Sequence, residues 1–460
     1  MTERFEDILA QELSQLPPPE SVVRDTNPWH RALEFILIGQ VLTMLRMDLH
    51  CLDYLLPLIG YVYLLLGHRI LWQENGALKA GWILTIIRAS LFALKLCFDA
   101  TFVSTQNTAL SEIFGYIDLS LSLLGIVHVI CLHYAAEALR ERSSLPKQRW
   151  YGSILIGIAL FPGLLIPEIL VCIYVLLMLL TVNELLQLNR NLGDIGYAIE
   201  PVPVRLSNRT FTALTVGITV AAVITYGIAF RKAPMDFAPV QDGNAERVSA
   251  TEAKLTELGV PSDIVADLSD EDVLRCEGAI QVQLENRQYT EDLDAQVTVI
   301  AVQVPTSGSF FVDRWVILNH FQFADTHHFT GTDAISTQQD LVDPIWWYVS
   351  RKDNTSGRVL YDRDGTTVES NFYSITYSLE YERLTQTAYF SFPDGAENYR
   401  GYLIYTTELT NEGCIFNTIA TLTHQTMIPN YPAQVPAPNE DKITFRENQT
   451  QLQFYPGKND

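Results

Sequence analysis

The sequence predicts two unlike halves: an α-helical polytopic membrane bundle, then an extracytoplasmic all-β sandwich or jelly-roll-like domain led by two short helices. Three observations carry this reading. Residues 210–230 contain no charge, and at ~1.5 Å per residue they match a ~30 Å hydrocarbon core. Apolar stretches separated by basic loops precede that segment, and aromatic, period-two patterning follows it. Charge divides at the same place. From Lys232 onward there are 15 Lys+Arg against 34 Asp+Glu, a net of −19, whereas the residues before it carry 16 against 19. An acidic domain of this kind repels phosphate backbones, which argues against nucleic acid as a partner.

Taken in order, residues 1–31 form a cytosolic amphipathic segment. Phe5, Ile8, Leu9, Leu13 and Leu16 share one helical face, the opposite face is acidic, and Pro17, Pro18 and Pro19 end it. A helix lying on lipid presents a basic face instead, so a protein surface is the expected support.

The transmembrane domain occupies 32–231. Its first apolar segment, 32–45, is barely long enough to cross and carries Glu34 and Gln40. Segments 52–70, 80–98 and 115–139 follow. Segment 153–186 is too long for one crossing and holds Pro162, Gly163 and Pro167, so two helices with a turn near Pro167 are expected. Basic clusters flank it: Arg140, Arg142, Lys147 and Arg149 before, Arg190, Arg205 and Arg209 after. Both should face the cytoplasm, which requires an even number of crossings between them. The resulting topology has seven helices, or six if the first only lies on the membrane. With the N-terminus inside, twelve Lys and Arg fall on the cytoplasmic side against three outside. The soluble half is extracytoplasmic in either case.

Charges within spans are costly and mark function or helix-to-helix pairing. Arg88, Lys95, Asp118, His128 and Glu184 are the candidates. Depth along the helices predicts Lys95 level with Asp118 and Arg88 within reach of Glu184, with His128 alongside. Pairing is the plainer reading; an ion or substrate path is the alternative, without the internal repeat that transporters commonly show. In the last span, Ala213, Gly217 and Ala221 recur at four-residue spacing, a small face for packing within the chain or for a helix-mediated oligomer.

Residues 232–245, with Pro234, Pro239 and Gly243, read as a linker. The extracytoplasmic domain, 246–460, begins with short helices over 246–280. One is closed by Gly259; another is capped by Ser269 ahead of Asp270, Glu271 and Asp272. The β-sandwich fills 281–460, with strands expected at 295–304, 310–323, 345–351, 358–362, 366–377, 388–392, 402–409 and 415–423. Asp364–Gly365 and Asp394–Gly395 mark turns. A Pro-rich stretch, 429–438, is expected as extended cover, and 443–455 as at most one more edge strand.

Three constellations could carry chemistry in this half. His320, Asp325, His327, His328 and Asp333 are dense in metal-ligand types but lack regular spacing, and a polar loop is the plainer reading. Asp362, Asp364 and Glu369 contain part of a calcium-loop pattern, yet Asp-Gly between strands is first a hairpin. The third is aromatic. Trp346, Trp347, Tyr348, Tyr399, Tyr402 and Tyr405 could present ligand-facing rings, although core packing is the default for most of them. Adjacent Trp residues on a strand point to opposite faces.

No P-loop, nucleophile elbow, dinucleotide fingerprint or HExxH occurs. The expectation is therefore no enzyme activity, no metal and no cofactor. Six cysteines show no CxxC. Cys51, Cys97, Cys131 and Cys172 read as small buried hydrophobes, and a Cys276–Cys414 disulfide would suit an oxidising exterior. The expected partners are the lipid bilayer and an extracytoplasmic ligand or protein. The run Leu52-Asp-Tyr-Leu-Leu-Pro-Leu-Ile-Gly-Tyr61 and the phrase Gly196-Tyr-Ala-Ile-Glu-Pro-Val-Pro-Val-Arg205 resemble uncharacterised multi-pass membrane proteins of Gram-positive anaerobic bacteria. That resemblance implies a cytoplasmic-membrane location and no particular activity. The function expected is a membrane-anchored binding, sensing or interaction protein, with secondary transport or ion-coupled permeation through the charged helices as the alternative.

Overall fold

A computed structural model describes residues 28–45, 52–101, 108–146, 167–195, 205–240, 246–287, 293–305, 312–324, 328–340, 354–380, 383–410, 415–426, 431–433, 436 and 444–455. The chain divides into two compact units, Met1–Phe98 with Glu112–Ile224 and Asp99–Ser111 with Thr225–Asp460. The expected amphipathic helix of the N-terminal segment, the strand at 345–351 and Cys414 lie outside the described residues, as do most of the Pro-rich cover and Pro162 and Gly163.

The first unit is helical. Its long elements are α1 (Pro28–Met44), α2 (Leu52–Leu71), α3 (Gly76–Asp99), α4 (Thr108–Arg142), α5 (Pro167–Ile195) and α6 (Asn208–Ala229). Pro167 opens α5 at a first-turn position, where a missing N–H costs nothing, and this is where the sequence placed a helix start. Helices α1 and α2 run antiparallel in close contact. A Cβ added at Gly39 would lie 2.6 Å from the Gly60 carbonyl, and one at Gly67 2.6 Å from that of Ala32. Only glycine permits that approach, which lets Leu33, Ile36 and Leu37 of α1 share one core with Tyr61, Leu64 and Leu71 of α2.

Among the described residues four helices are long and apolar enough to cross a membrane: Leu52–Leu71, Gly76–Asp99, Gly115–Arg142 and Asn208–Ala229. The count of seven is not reproduced. Helix α1 has 17 residues, short of the ~20 that a span needs, and the second half of α5 carries Asn183, Glu184, Gln187 and Asn189. Residues 153–166, where a further crossing was expected, lie outside the described residues. Nor is the small face of α6 packed among the described residues, none of which would come within 4 Å of a Cβ at Gly217.

The second unit is a β-sandwich under a helical layer. Helices α7 (Glu246–Glu257), α8 (Ser262–Ala266) and α9 (Asp270–Arg275) precede the long strands. Gly259, at φ 103°, ends α7 with paired bonds, Val260 N to the Leu255 carbonyl and Gly259 N to that of Thr256. Leu255 and Val260 then pack in one cluster, the apolar contact that completes such a cap. Ser269 caps α9, its Oγ accepting from Asp272 N.

The strands are β1 (Ala238–Pro239), β2 (Gln281–Arg287), β3 (Ala295–Val304), β4 (Val312–Phe323), β5 (Asp333–Asp340), β6 (Ser356–Arg363), β7 (Thr366–Asn371), β8 (Ser374–Glu380), β9 (Arg383–Phe390), β10 (Glu397–Thr410), β11 (Phe416–Gln425) and β12 (Phe445–Phe454). One antiparallel sheet has the order β1-β7-β6-β10-β4-β3-β2, the other β12-β11-β5-β9-β8. Between them lie Trp315, Phe321, Phe390, Phe392, Tyr399 and Leu422. The opposite face of the seven-stranded sheet is also covered, since Ile300, Val302, Val316, Leu318 and Ile404 pack against Val248, Ile264 and Val273 of the helices. Burial on both faces explains why β3 reads as a nearly continuous apolar run. Within the helical layer the Cys276 thiol is free and closed to solvent, and burial together with the nearby Asp272 carboxylate pushes its pKa up to about 12.

Three expectations about this unit need correction. Residues 232–240 do not hang free as the first part of a linker. Ala238 and Pro239 pair with Glu369 and Val368, while Met235 and Phe237 pack on the sandwich core. The expected strand 366–377 is two strands in different sheets, because Phe372 and Tyr373 carry the chain across the sandwich. Strands β2 and β5 were not anticipated. The sequence of β5, Asp-Ala-Ile-Ser-Thr-Gln-Gln-Asp, is polar, yet Ser336, Thr337 and Gln339 are all buried.

Candidate functional site

In the helical unit, polar side chains from four helices converge. Gln40 of α1, His68 of α2, Thr85 and Arg88 of α3 and His128 of α4 are all almost fully buried. The Nε2 atoms of His68 and His128 are 2.8 Å apart. His128 Nδ1 lies 3.2 Å from Arg88 Nη1 and 3.0 Å from Gln40 Oε1. A guanidinium can only donate, so Arg88 requires His128 Nδ1 as an acceptor. His128 Nε2 then carries the proton and donates to His68, and the Gln40 amide turns its NH2 toward Nδ1. This leaves His68 Nδ1–H and Arg88 Nε as donors without a partner among the described residues. The Tyr61 ring, 5.4 Å from the Arg88 guanidinium carbon, provides a cation–π contact in place of an anion.

The other charged candidates on the long helices form pairs. Lys95 Nζ donates to both Asp118 oxygens, at 3.1 and 2.9 Å, as the depth comparison expects. The Arg88–Glu184 pairing is not made. Glu184 instead accepts from Arg140 Nη1 at 2.7 Å and faces His133 Nδ1 at 3.4 Å. Arg140 ends α4 at the level of Glu184, so no long reach from mid-helix is needed. His68, Gln40 and Arg140 are partners that depth along the helices does not predict. Gln40 is visible as a polar residue in an apolar segment, whereas His68 lies in the last turn of its helix beside Arg69.

In the sandwich, register builds a second constellation on the face that carries the helices. His320 of β4 is opposite Tyr402 of β10, and Tyr402 is opposite Arg358 of β6. One row further along, Gln322 is opposite Arg400, Arg400 opposite Leu360, and Leu360 opposite Glu369. Asp267, in the turn after α8, joins the rows. One of its oxygens meets His320 Nε2 at 2.9 Å, the other accepts from Arg400 Nε at 2.7 Å, and its carbonyl accepts from Arg358 Nε at 3.0 Å. Arg358 also pairs with Glu369.

Asp362, at the open end, accepts from Thr367 and Arg400 on one oxygen and from Asn398 on the other. Burial works against its ionisation. The hydrogen bonds from Asn398 and Thr367 and the Arg400 charge outweigh it, holding the carboxyl below its usual range. Under the helices, Tyr402 Oη donates to Asp272 Oδ2 at 2.6 Å; burial and that carboxylate raise the phenol's pKa.

The expected ligand-facing aromatics are placed otherwise. Tyr399 is buried in the sandwich core, its hydroxyl donating to the Pro393 carbonyl. Tyr402 lies beneath the helices, and Tyr405 reaches across the core to Thr418 at 3.1 Å. All three sit on β10, a central strand covered on both faces, so none can meet a ligand. Trp346, Trp347 and Tyr348 lie outside the described residues.

The metal-like loop is dispersed. His320 is held by Asp267, Asp333 is held by His424 at 3.0 Å, His328 is exposed, and Asp325 and His327 lie outside the described residues. Asp364 and Gly365 both have positive φ, with Arg363 paired to Thr366, so this stretch is a two-residue hairpin turn. Asp267, Arg358 and Arg400 were missed; the signal for two of them was a charged residue at an alternate position of an otherwise apolar strand.

No family model and no characterised protein matches the chain. Among solved structures it is similar to Clostridium perfringens delta-toxin, at 8% identity and TM-score 0.20, over 38% of this chain and 87% of that one. It is similar to a pore forming protein at 8% identity and TM-score 0.21, over 38% and 90% of the two chains. It is also similar to the collagen-binding domain from a Staphylococcus aureus adhesin, at 9% identity and TM-score 0.19, over 33% and 93%.

Proposed function

We propose that the chain is a multi-pass protein of the cytoplasmic membrane whose sandwich is an extracytoplasmic binding or sensing module, with a cytoplasmic N-terminus. The observation that carries this reading is the attachment of the sandwich to the segment leaving α6. Thr332 Oγ1 donates to the Arg231 carbonyl. Lys232 Nζ donates to the Phe392 carbonyl and to Asp394, and Ala233 N donates to Thr332 and Ser391. Six residues later the same segment is a sheet strand. A ligand that shifts the strands therefore acts directly on the residues that follow the helix, with no slack to absorb the change.

The partly open row of Gln322, Asn398, Asp362 and Glu369 offers hydrogen-bond donors and acceptors to a polar ligand or a protein partner. No catalytic step is assigned to it, because its carboxylates are held by guanidinium and amide groups. Exposed Ile83, Ile87, Leu119, Leu214 and Ile218 on the long helices support lipid as the solvent of the first unit. The open small face of α6 suits a helix-mediated oligomer. The resemblance of the 52–61 and 196–205 segments to multi-pass membrane proteins of Gram-positive anaerobes supports the location.

Secondary transport is the second reading, favoured by the buried Arg88 cation, whose own Nε and the neighbouring His68 Nδ1 have no partner among the described residues. One pair of experiments separates the two. In intact cells, an impermeant thiol reagent should label Gln288→Cys and not Ser144→Cys; the reverse would overturn the orientation. Proteoliposomes of the full chain should show no anion-driven flux. Flux that vanishes in Arg88→Gln would replace the binding reading with transport.

A further inference from the structure

Three helical stripes in the first unit enclose a side-opening cavity of about 540 Å3, within the ~300–1,000 Å3 range of small-molecule sites. Arg31 and Phe35 of α1 are one turn apart. Leu58, Val62 and Leu66 line one face of α2, and Asn208, Thr212 and Val216 line one face of α6. The body of the cavity is apolar, and its polar groups gather at one end. There α1 and α6 begin and α2 ends, so Arg31, Asn208 and Arg69 come to one level. Arg69 donates to Asn208, and its guanidinium stacks over Phe211 at 4.8 Å. Its Nε is buried without a hydrogen-bond partner among the described residues. Among the described residues no carboxylate pairs with Arg31 or Arg69, and Arg209, which follows Asn208 in the chain, is exposed.

We propose that this groove is a site for one anionic phospholipid, its phosphate held between Arg31 and Arg69 and its acyl chains lying along Leu58, Val62 and Val216. The inference rests on the membrane reading above, and the basic-side rule that orients the chain puts this end in the inner leaflet. Charge complementarity and shape argue together. Arg31 lines the opening and Arg69 stands behind it on the lining residue Asn208, neither with a carboxylate partner among the described residues; the walls are apolar, and a headgroup with attached chains satisfies both. A free phosphate would use the arginines and leave the apolar walls uncovered. Helix α6 buries little else: among its residues only Thr219 is buried, so a lipid in the groove would supply much of the contact between α6 and the α1–α2 pair.

The test is native mass spectrometry of the full chain released from detergent, with phosphatidylglycerol or phosphatidylcholine added as probe. The expected result is preferential retention of phosphatidylglycerol, weakened about fivefold by each of Arg31→Gln and Arg69→Gln. Val62→Trp, which fills the groove and keeps both arginines, should also weaken it, whereas inorganic phosphate should not compete. Equal retention of the two lipids, or retention unchanged in all three variants, would overturn the site. Competition by inorganic phosphate with no effect of Val62→Trp would overturn it in favour of a simple anion site. A carbonate wash of cell membranes keeps the two ideas apart. A washed-out chain defeats the membrane reading itself, and a retained chain with indifferent lipid binding defeats only the lipid site.

Discussion

Replacing Asp267 by Ala should loosen the helical layer of the sandwich. The carboxylate is buried, and it meets one buried histidine and one guanidinium that is 12% exposed. Removing one partner of a buried ion pair costs ~3–5 kcal/mol when the other charge is left without compensation. One feature reduces that here: Arg400 keeps Asp362 at 3.2 Å and the Asn398 carbonyl at 2.7 Å. A loss of roughly 2 kcal/mol is therefore expected, equivalent to about 30-fold faster amide exchange in the layer if it opens locally.

Hydrogen–deuterium exchange of the full chain in micelles reads this directly over 262–275, with α2 and α3 as internal controls. Asp267→Ala combined with Arg400→Ala should cost less than the two losses added together, because the second substitution removes the charge stranded by the first. Unchanged exchange over 262–275, or strictly additive losses, would refute the reasoning.

The Lys95–Asp118 pair should behave in the same direction in a detergent melt: Asp118→Ala destabilises the helical unit by about 1 kcal/mol, and adding Lys95→Ala costs little more. Gly39→Val should separate α1 from α2, seen as loss of a cysteine crosslink engineered between the two helices, since its Cβ would meet the Gly60 carbonyl and Leu64. Asp362 has a depressed folded-state pKa, so its contribution is present above the unfolded carboxylate value of ~3.9 and is lost as pH falls through the lower, folded value. Acid titration followed by exchange over 356–371 should show a transition that Asp362→Asn removes.

The sequence made the division between the halves plain, because charge and hydropathy both change at residues 230–232. It also made β3, β4, β10 and β11 plain through runs of Val, Ile, Tyr and Thr. β5 stayed hidden for a physical reason. Its buried Ser and Thr side chains are paired with neighbours in the sheet, as when Thr337 meets Thr418 at 3.2 Å, and a periodicity argument reads such residues as solvent-facing. The three tyrosines among the aromatic candidates are buried for a related reason. Tyr399, Tyr402 and Tyr405 have the composition of a binding face, but strand order places β10 between β4 and β6, and strand order cannot be read from one chain's spacing. Asp267 was beyond reach too, because its partners are 53 and 133 residues away. Within the bundle, depth along a helix found Lys95–Asp118 because the two helices adjoin. It failed for Glu184, where several cations occur at similar depth and only the packing selects Arg140.

The free thiol of Cys276 gives the domain an unexpected tolerance of its surroundings. Nucleophilic attack on an oxidant or a disulfide requires the thiolate, and a group whose pKa is about 12 is almost wholly protonated at physiological pH. Closed in by Val273 and the strands beneath, it can persist in an oxidising compartment without a covalent partner and without a reducing system to protect it. How long the thiol stays reduced would then depend on how seldom the helical layer opens, which makes the buried Asp267 carboxylate a guard of the thiol's redox state.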